Sequence, residues 1–415
     1  MRKQFFFITA LILLMGCTAT RRTGEDNIYQ STPNFLFLSD IHLDTTESTR
    51  YGDDTGLQLW NNFLQKADAV LAGPNPPKFV LYTGDLPAHY SCRSDCELKP
   101  DSPVTNTHNH NLTVILTGLR NLVAKYKVPF FYLPGNNDAI AGNYFSFSNA
   151  SLQNAFGLVP DPANPYPALN INGDSATAPC ILSQAHIKKG YYAARPLPGL
   201  RLICMNTIIY SRKYTVVDGG TVEGDRNDEM KWLQQELDEA SLHNEQVYIA
   251  MHIPPGTDAY GNQPMWQDSP ANYQKQFLGL LNSYQKNIAG IFFGHTHMDE
   301  VRRFYNTANT VIAVGISCPG ITPQHNNNPG FKTVYFNGQT KAPLDFITYY
   351  STPGATGWGD SSYSFRKIFH QGSGTTLYNR LSGMSFSDIL ADMQQIYSVR
   401  YLPVTYDIGR GIEVK

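Results

Sequence analysis

Five short apolar runs, each followed by a polar motif, constrain the fold of this 415-residue chain more than any other feature of its sequence. Several of the runs are continuous rather than alternating, as in strands that are buried on both faces. The motifs that follow them are Ser39–Asp44, Thr83–Asp85, Gly135–Asp138, His252 and Gly294–His297. Because the carboxyl ends of strands line the ligand crevice of an open α/β sheet, we expect these motifs to meet at one edge.

Patterns typical of helices lie between the strand-like runs. In residues 57–71, for example, apolar side chains recur every three to four positions. This alternation of strands and helices predicts an α/β layered domain over residues 34–340. Residues 341–415 are expected to form a C-terminal extension that packs on this domain and ends in a helix over 386–398.

The N-terminus has the pattern of an export signal. Two basic residues precede an apolar run over 5–15, which is too short to span a bilayer. The run leads into a segment that resembles a bacterial lipobox, in which Cys17 would be acylated. We therefore expect a lipoprotein signal peptide over 1–17, a tether over 18–33, and a protein exported to the periplasm, the outer membrane or the cell surface. The alternative is a plain secretory signal with an incidental cysteine.

The other cysteines fit an exported protein. Cys92 and Cys96 flank a polar loop, where a local disulfide suits an oxidising compartment and a zinc site is the competing interpretation. Cys204 and Cys318 lie in apolar runs and are expected to be buried small hydrophobic residues. The sequence leaves the pairing of Cys180, Cys204 and Cys318 open.

The charge balance bears on the partners of the protein. The chain has 32 lysines and arginines against 34 aspartates and glutamates, a formal net charge of −2. A nucleic-acid binder that neutralises phosphates needs a basic surface, so no nucleic-acid binding is expected. Membrane contact is expected only through the N-terminal lipid anchor, and the oligomeric state stays open.

The polar motifs together supply carboxylates, imidazoles and one amide. These groups suit a pair of divalent metal ions, with zinc expected first and manganese or iron as alternatives. Two such ions can clamp the attacking and leaving oxygens of a phosphoryl transfer. The residues concerned are Asp40, His42, Asp85, Asn136, His252, His295 and His297.

The order of these motifs resembles the calcineurin-like metallophosphoesterase superfamily. Within it, Gly84–His89, His252–Gly256, Gly294–Glu300 and Ile316–Pro323 resemble elements of the acid sphingomyelinase-like branch. The resemblance covers about 34–350 and implies a four-layer αββα sandwich with a small C-terminal helical extension.

The resemblance also implies a metal-ligand set. One ion would be held by Asp40, His42, Asp85 and His297, and the other by Asp85, Asn136, His252 and His295. Asp85 would then bridge the two ions, and a water activated between them would attack phosphorus. His89 is expected to stabilise the transition state or to protonate the leaving group.

One position departs from the acid sphingomyelinase pattern. Asn137 stands where those enzymes have a histidine that protonates the leaving group. An asparagine cannot donate a proton to an alkoxide, but its amide can hydrogen-bond a phosphate oxygen. The Gly-Asn-Asn-Asp element is similar to that of endopolyphosphatases, whose phosphate leaving group needs less help from an acid.

These observations predict a metal-dependent hydrolase of phosphodiester or phosphoanhydride bonds. We expect a small phosphorylated substrate of the nucleotide or phosphocholine type. The alternatives are an endopolyphosphatase-like activity, a sphingomyelin phosphodiesterase, or a non-catalytic surface lipoprotein that has kept the fold.

Overall fold

Two β-sheets packed face to face form the centre of the computed structural model. The structure describes residues 29–89, 103–139, 142–147, 181–183, 186–217, 219–267, 271–400, 402–403 and 405–415. Apolar strands in both sheets are almost fully buried, because each sheet is covered by the other on one face and by helices on the opposite face.

The first sheet has six strands in the order β13-β12-β11-β1-β2-β3. The strands β1, β2 and β3 run parallel, and β11, β12 and β13 add antiparallel neighbours on the other side of β1. Their bounds are β1 Asn34–Leu38, β2 Val80–Tyr82, β3 Phe130–Tyr132, β11 Gly330–Phe336, β12 Pro343–Tyr350 and β13 Ser362–Ser364.

The second sheet has eight strands in the order β14-β9-β10-β8-β7-β6-β5-β4. Its central strands β6, β7, β8 and β10 run parallel. The bounds are β4 Ile181–Ser183, β5 Tyr192–Leu197, β6 Leu200–Cys204, β7 Gln246–Ala250, β8 Ile288–Phe293, β9 Val301–Tyr305, β10 Val311–Ser317 and β14 Glu413–Val414.

Aromatic side chains join the two sheets. Phe292 of the second sheet contacts Phe35 and Phe37 of the first sheet edge-on, with ring centroids 5.2 and 5.6 Å apart. Edge-to-face pairs at this separation are favourable beyond the area that they bury. The thiol of Cys318 donates to the carbonyl of Phe37 at 3.1 Å. Cys204 and Cys318 are both free and buried, as expected from the sequence.

Four helices cover the outer faces: α1 Leu57–Leu71, α2 Pro103–Tyr126, α3 Val222–Leu242 and α4 Tyr273–Ser283. On α1, Phe63 packs edge-on against Phe331 of the first sheet at 5.4 Å. A side chain at Gly118 of α2 would lie 2.8 Å from Trp60, so glycine allows the two helices to approach closely. Helices α3 and α4 pack on the second sheet. The four layers confirm the predicted αββα architecture.

The segment after residue 340 contributes more than the helical extension expected from the sequence. It supplies β12 and β13 to the first sheet and β14 to the second. An Asn337–Ala342 turn returns the chain antiparallel to β11, which makes β12 its direct neighbour. The helices of this segment are α5 Phe365–Ile368, α6 Leu377–Gly383, α7 Phe386–Gln394 and α8 Gly409–Ile412. The helix predicted over 386–398 is α7, which ends at Gln394, four residues earlier than predicted. Ser385 caps its start by accepting from Asp388 N.

Three predictions fall on residues outside the described part of the chain: the acylated Cys17, the signal peptide that ends there, and the Cys92–Cys96 disulfide. Of the tether predicted over 18–33, only residues 29–33 are described, and there Tyr29 donates a hydrogen bond to Oδ2 of Asp345 in β12 at 2.6 Å. Within the residues that the structure does describe, no helix combines the length and the apolar character needed to cross a bilayer.

Candidate metal centre and catalytic cleft

The carboxyl ends of five strands from both sheets deliver polar side chains to one edge of the sandwich. Asp40 follows β1, Asp85 follows β2 and Asn136 follows β3 in the first sheet. His252 follows β7 and His295 follows β8 in the second sheet. The site therefore lies where the two sheets meet, and each sheet contributes part of it.

The backbone turns sharply at most of these positions. Asp40, His42, Asp85, His295 and His297 all have positive φ, between 44° and 72°. This left-handed region is costly for residues that carry a Cβ, and such conformations concentrate at functional sites. The surrounding packing holds these five side chains in orientations that ordinary strand ends would not give.

Two glycines make room for the clustered side chains. A Cβ on Gly135 would lie 2.2 Å from Oδ1 of Asp85, and a Cβ on Gly294 would lie 2.0 Å from Oγ of Ser39. Both distances are far below van der Waals contact, so a larger residue at either position would displace the carboxylates.

Asp85 lies at the centre of the cluster. Its Oδ2 is 3.3 Å from His42 Nε2 and also 3.3 Å from His252 Nε2. The same His252 Nε2 atom lies 3.0 Å from Oδ1 of Asn136. One oxygen of the Asp85 carboxylate thus lies close to the nitrogens of two imidazoles.

Asp40 forms the other side of the cluster. Its Oδ1 lies 3.4 Å from His297 Nε2 and 3.8 Å from His42 Nε2. Ser39 Oγ and the backbone N–H of His295 donate to the same carboxylate, so its orientation is held from two directions.

Backbone carbonyls orient the central imidazoles. His42 Nδ1 lies 2.8 Å from the carbonyl oxygen of Pro87, and His252 Nδ1 lies 2.7 Å from that of Thr83. A proton on Nδ1 that bonds to a carbonyl leaves the Nε2 lone pair free toward the cluster, as in metal-ligating histidines.

The pKa values of the buried histidines are shifted in two opposite directions. Burial lowers the pKa of His252, but Asp85 and Asp40 outweigh it and raise this pKa to about 9. Burial lowers the pKa of His295 and of His297 well below the usual value. The carboxylates thus favour the charged form of His252, whereas burial disfavours the charged forms of His295 and His297.

The donor set fits divalent metal ions. Two groups of donor atoms, Asp40–His42–Asp85 and Asp85–His252–His295, each lie within 4.8 Å of one another, and both contain Asp85. His42 Nε2 is buried and has no hydrogen-bond partner among the described residues. Imidazole nitrogens and carboxylate oxygens are ligands that zinc, manganese and iron accept.

His89 lies against the cluster and is held by a residue that the sequence analysis missed. Its ring stacks on that of His42 with centroids 3.7 Å apart. Its Nδ1 lies 2.8 Å from Oδ1 of Asp54, and its backbone N–H donates to Oδ2 of Asp54 at 2.6 Å. Asp54 follows no strand and belongs to no recognisable motif, so only the folded structure brings it to His89.

Asn137 is bound to the central carboxylate. Its backbone N–H donates to Oδ1 of Asp85 and its amide Nδ2 donates to Oδ2, both at 2.8 Å. The next residue, Asp138, accepts from the backbone N–H groups of Gly135, Asp85 and Leu86 at 2.6 to 2.8 Å. Asp138 thereby ties the second and third motifs together, a role that its sequence position did not reveal.

A cleft of about 1170 Å³ opens over the cluster. His89, Asn137 and His325 line it, and the ring of His325 stacks on Tyr260 with centroids 4.5 Å apart. The other residues of its wall are Asp85, Asn136, Asn143, Tyr144, Phe145, Lys213, Thr215, Asp258, Gly261, Met265, His295, Thr296, His297 and Gln324. This volume accommodates a small organic phosphate.

Comparison with known proteins agrees with this geometry. The chain is 28% identical over 310 residues to a sphingomyelinase phosphodiesterase D of Dictyostelium discoideum, covering 73% of this chain and 61% of that protein. It is 30% identical over 352 residues to an acid sphingomyelinase-like phosphodiesterase 3b of Mus musculus, covering 76% and 70%. It is 25% identical over 373 residues to a cyclic GMP-AMP phosphodiesterase of Mus musculus, covering 81% and 76%.

The chain thus spans about three fifths of the length of the Dictyostelium relative. Residues 33–299, which include every residue of the cluster, match the calcineurin-like phosphoesterase family. The family match, the four-layer fold and the clustered donor atoms all lead to the same assignment. The chain belongs to the calcineurin-like phosphoesterases, and acid sphingomyelinase-like phosphodiesterases are among its relatives.

Proposed function

We propose that the protein is a dinuclear metal-dependent hydrolase of phosphodiester or phosphoanhydride bonds in small phosphorylated molecules. The observation that carries this proposal is the position of Asp85, which belongs to both groups of donor atoms. A carboxylate shared in this way is suited to bridge two ions about 3.5–4 Å apart.

The proposed ligands divide between the two sides of Asp85. Asp40, His42 and His297 would complete one metal site, and Asn136, His252 and His295 the other. The bound ions would supply a Lewis acid for the phosphoryl oxygens and lower the pKa of a water. Zinc is the metal that we expect first, with manganese or iron as alternatives.

The chain's own residues would position the substrate. His89 lies at the edge of the cluster with its Nδ1 held by Asp54, so the ring presents its other nitrogen in a defined direction. We propose that His89 protonates the leaving oxygen or stabilises the charge that develops there. Asn137, hydrogen-bonded to Asp85, would keep the carboxylate in place and offer polar contact to a phosphate oxygen.

The names of the relatives support a phosphodiesterase activity and point to two types of substrate. The chain resembles proteins named for sphingomyelin and one named for cyclic GMP-AMP. A cleft with both carboxamide and imidazole groups on its wall suits a soluble, nucleotide-type substrate.

Export as a lipoprotein anchored through Cys17 belongs to the same proposal and is supported by the N-terminal sequence pattern.

The decisive experiment combines metal analysis with one substitution. We expect purified protein to hold about two divalent ions per chain, and Asp85→Asn to lose metal and to lower phosphodiester hydrolysis by several orders of magnitude. Asp44→Asn is the matched control, because Asp44 lies four residues from Asp40 but its carboxylate accepts hydrogen bonds from Thr46, outside the cluster. Full activity with two ions in Asp85→Asn would refute the site. An intact, metal-free and inactive wild type would favour a binding protein that has kept the fold.

A further inference from the structure

Lys213 is the one lysine or arginine among the described residues that line the cleft. Its Nζ lies 4.9 Å from the ring centroid of Tyr144, an arrangement in which the ring attracts the ammonium group. Lys213 forms no ion pair within the described part of the chain. The side chain therefore brings an unneutralised positive charge to the wall of the metal cleft.

Hydrogen bonds tie the segment of Lys213 to the metal cluster. The backbone N–H of Thr215 donates to the carbonyl of Tyr144 at 3.0 Å, and Tyr144 N–H donates to the carbonyl of Asn136 at 2.8 Å. Asn136 is a proposed metal ligand, so the backbone of the segment that carries Lys213 is held next to that part of the cluster.

We propose that Lys213 binds a second phosphate of the substrate, adjacent to the phosphate that is hydrolysed. This inference rests on the proposed function and specifies its substrate class as a phosphoanhydride. An ammonium group attracts phosphate oxygens and repels the quaternary ammonium of phosphocholine. Asp258 also lines the cleft; it accepts a hydrogen bond from Gly261 N at 2.5 Å and forms no ion pair with Lys213.

The chemistry of an anhydride agrees with Asn137. The oxygen of a water forms a bond to phosphorus, the P–O bond of the anhydride breaks, and its electron pair stays on the oxygen of the released phosphate. The proton of the water passes to solvent. A phosphate leaves as a stable anion that needs little protonation, so an amide can stand where related enzymes carry an acid. The Lys213 ammonium would stabilise the charge that collects on the departing phosphate.

The test compares Lys213→Met with Lys213→Arg and with Lys231→Met, which removes the same charge from an exposed position on α3 outside the cleft. The substrates are inorganic tripolyphosphate, ATP and bis(p-nitrophenyl) phosphate, which has no second phosphate. We expect Lys213→Met to lower kcat/KM for both anhydrides about tenfold, a change equivalent to about 1.4 kcal/mol. Hydrolysis of bis(p-nitrophenyl) phosphate should stay within about twofold, and Lys213→Arg should keep most of the anhydride activity.

A binding measurement separates this inference from the proposed function. Calorimetric titration with imidodiphosphate, which resists hydrolysis, should show a dissociation constant about tenfold higher for Lys213→Met than for wild type or Lys231→Met. If Lys213→Met lowers kcat/KM for ATP alone, Lys213 contacts the phosphates only of nucleotides. If it lowers kcat/KM for both ATP and tripolyphosphate, Lys213 contacts the phosphate chain itself. Equal losses on bis(p-nitrophenyl) phosphate, or unchanged imidodiphosphate binding, would overturn the inference. A wild type that hydrolyses none of the three substrates would refute the proposed function while the titration still decides the role of Lys213.

Discussion

Replacement of Asp54 by asparagine tests whether His89 donates a proton to the leaving group. Asp54 is buried and accepts from both the ring and the backbone N–H of His89, at 2.8 and 2.6 Å. Burial raises the pKa of Asp54, but the hydrogen bond and charge of His89 outweigh it and lower this pKa, so the carboxylate stays ionised. Asparagine has nearly the same shape but no charge, and it would hold the imidazole more weakly.

The expected loss follows from the strength of that contact. A hydrogen bond to a charged group contributes about 1.5–3 kcal/mol, which corresponds to a loss of roughly 10- to 150-fold if it acts fully in the transition state. Full removal of a positioned acid by His89→Ala should cost roughly 10²–10⁴-fold. Both losses should appear with alkyl diesters, whose leaving groups need a proton. They should nearly vanish with p-nitrophenyl esters, whose leaving groups depart as stable anions.

The assay is kcat/KM for an alkyl diester and a p-nitrophenyl diester, in wild type, Asp54→Asn, His89→Ala and the double variant. If Asp54 acts only through His89, the double variant should be no slower than His89→Ala. Asp53→Asn is the matched control, because Asp53 pairs with the exposed Arg50 rather than with His89. Equal losses with both leaving groups, or additive losses in the double variant, would show that the proton-donor role is wrong.

Three further predictions concern other parts of the molecule. Asn137→His should raise the kcat/KM for alkyl diesters relative to p-nitrophenyl diesters, and an unchanged ratio would show that the Asn137 position does not reach the leaving group. Burial raises the pKa of Glu229 to about 8, so the native state keeps a proton that the unfolded chain releases near pH 4.5. In urea denaturation, the free energy of unfolding of the wild type should therefore fall between pH 5 and pH 8, by up to about 1.4 kcal/mol per pH unit. The free energy of unfolding of Glu229→Gln should fall less over the same range. Equal slopes in the two proteins would contradict this. Cys17→Ser should move the protein from the membrane fraction to the soluble fraction of cells, whereas unchanged fractionation would contradict the lipobox.

Local sequence patterns determined where the strands and helices lie along the chain. The apolar runs that precede the motifs Ser39–Asp44, Thr83–Asp85 and Gly135–Asp138 form β1, β2 and β3. The three-to-four periodicity over 57–71 coincides with α1. These elements were predictable because strand burial and helical amphipathicity leave their mark on consecutive residues. The positions of the polar motifs followed from the same pattern, since each motif starts where an apolar run ends.

Other features depend on residues that are far apart in the chain. The sequence did not show which strands pair with one another within each sheet, or that residues after 340 supply strands to both sheets. It also did not show that Asp54 lies against His89, since 35 positions separate them and neither belongs to a shared motif. Such pairings are decided by how whole layers pack, which no short window of sequence records.

The sequence by itself determined which side chains are available for chemistry and that strand ends carry them. The tertiary structure alone decided their mutual geometry: Asp85 between His42 and His252, with Oδ2 3.3 Å from each, and Lys213 over Tyr144 at the cleft wall. The physical reason is that residue type and local backbone preference act along the chain. Distances between donor atoms follow instead from the packing of two sheets against each other, to which the whole chain contributes.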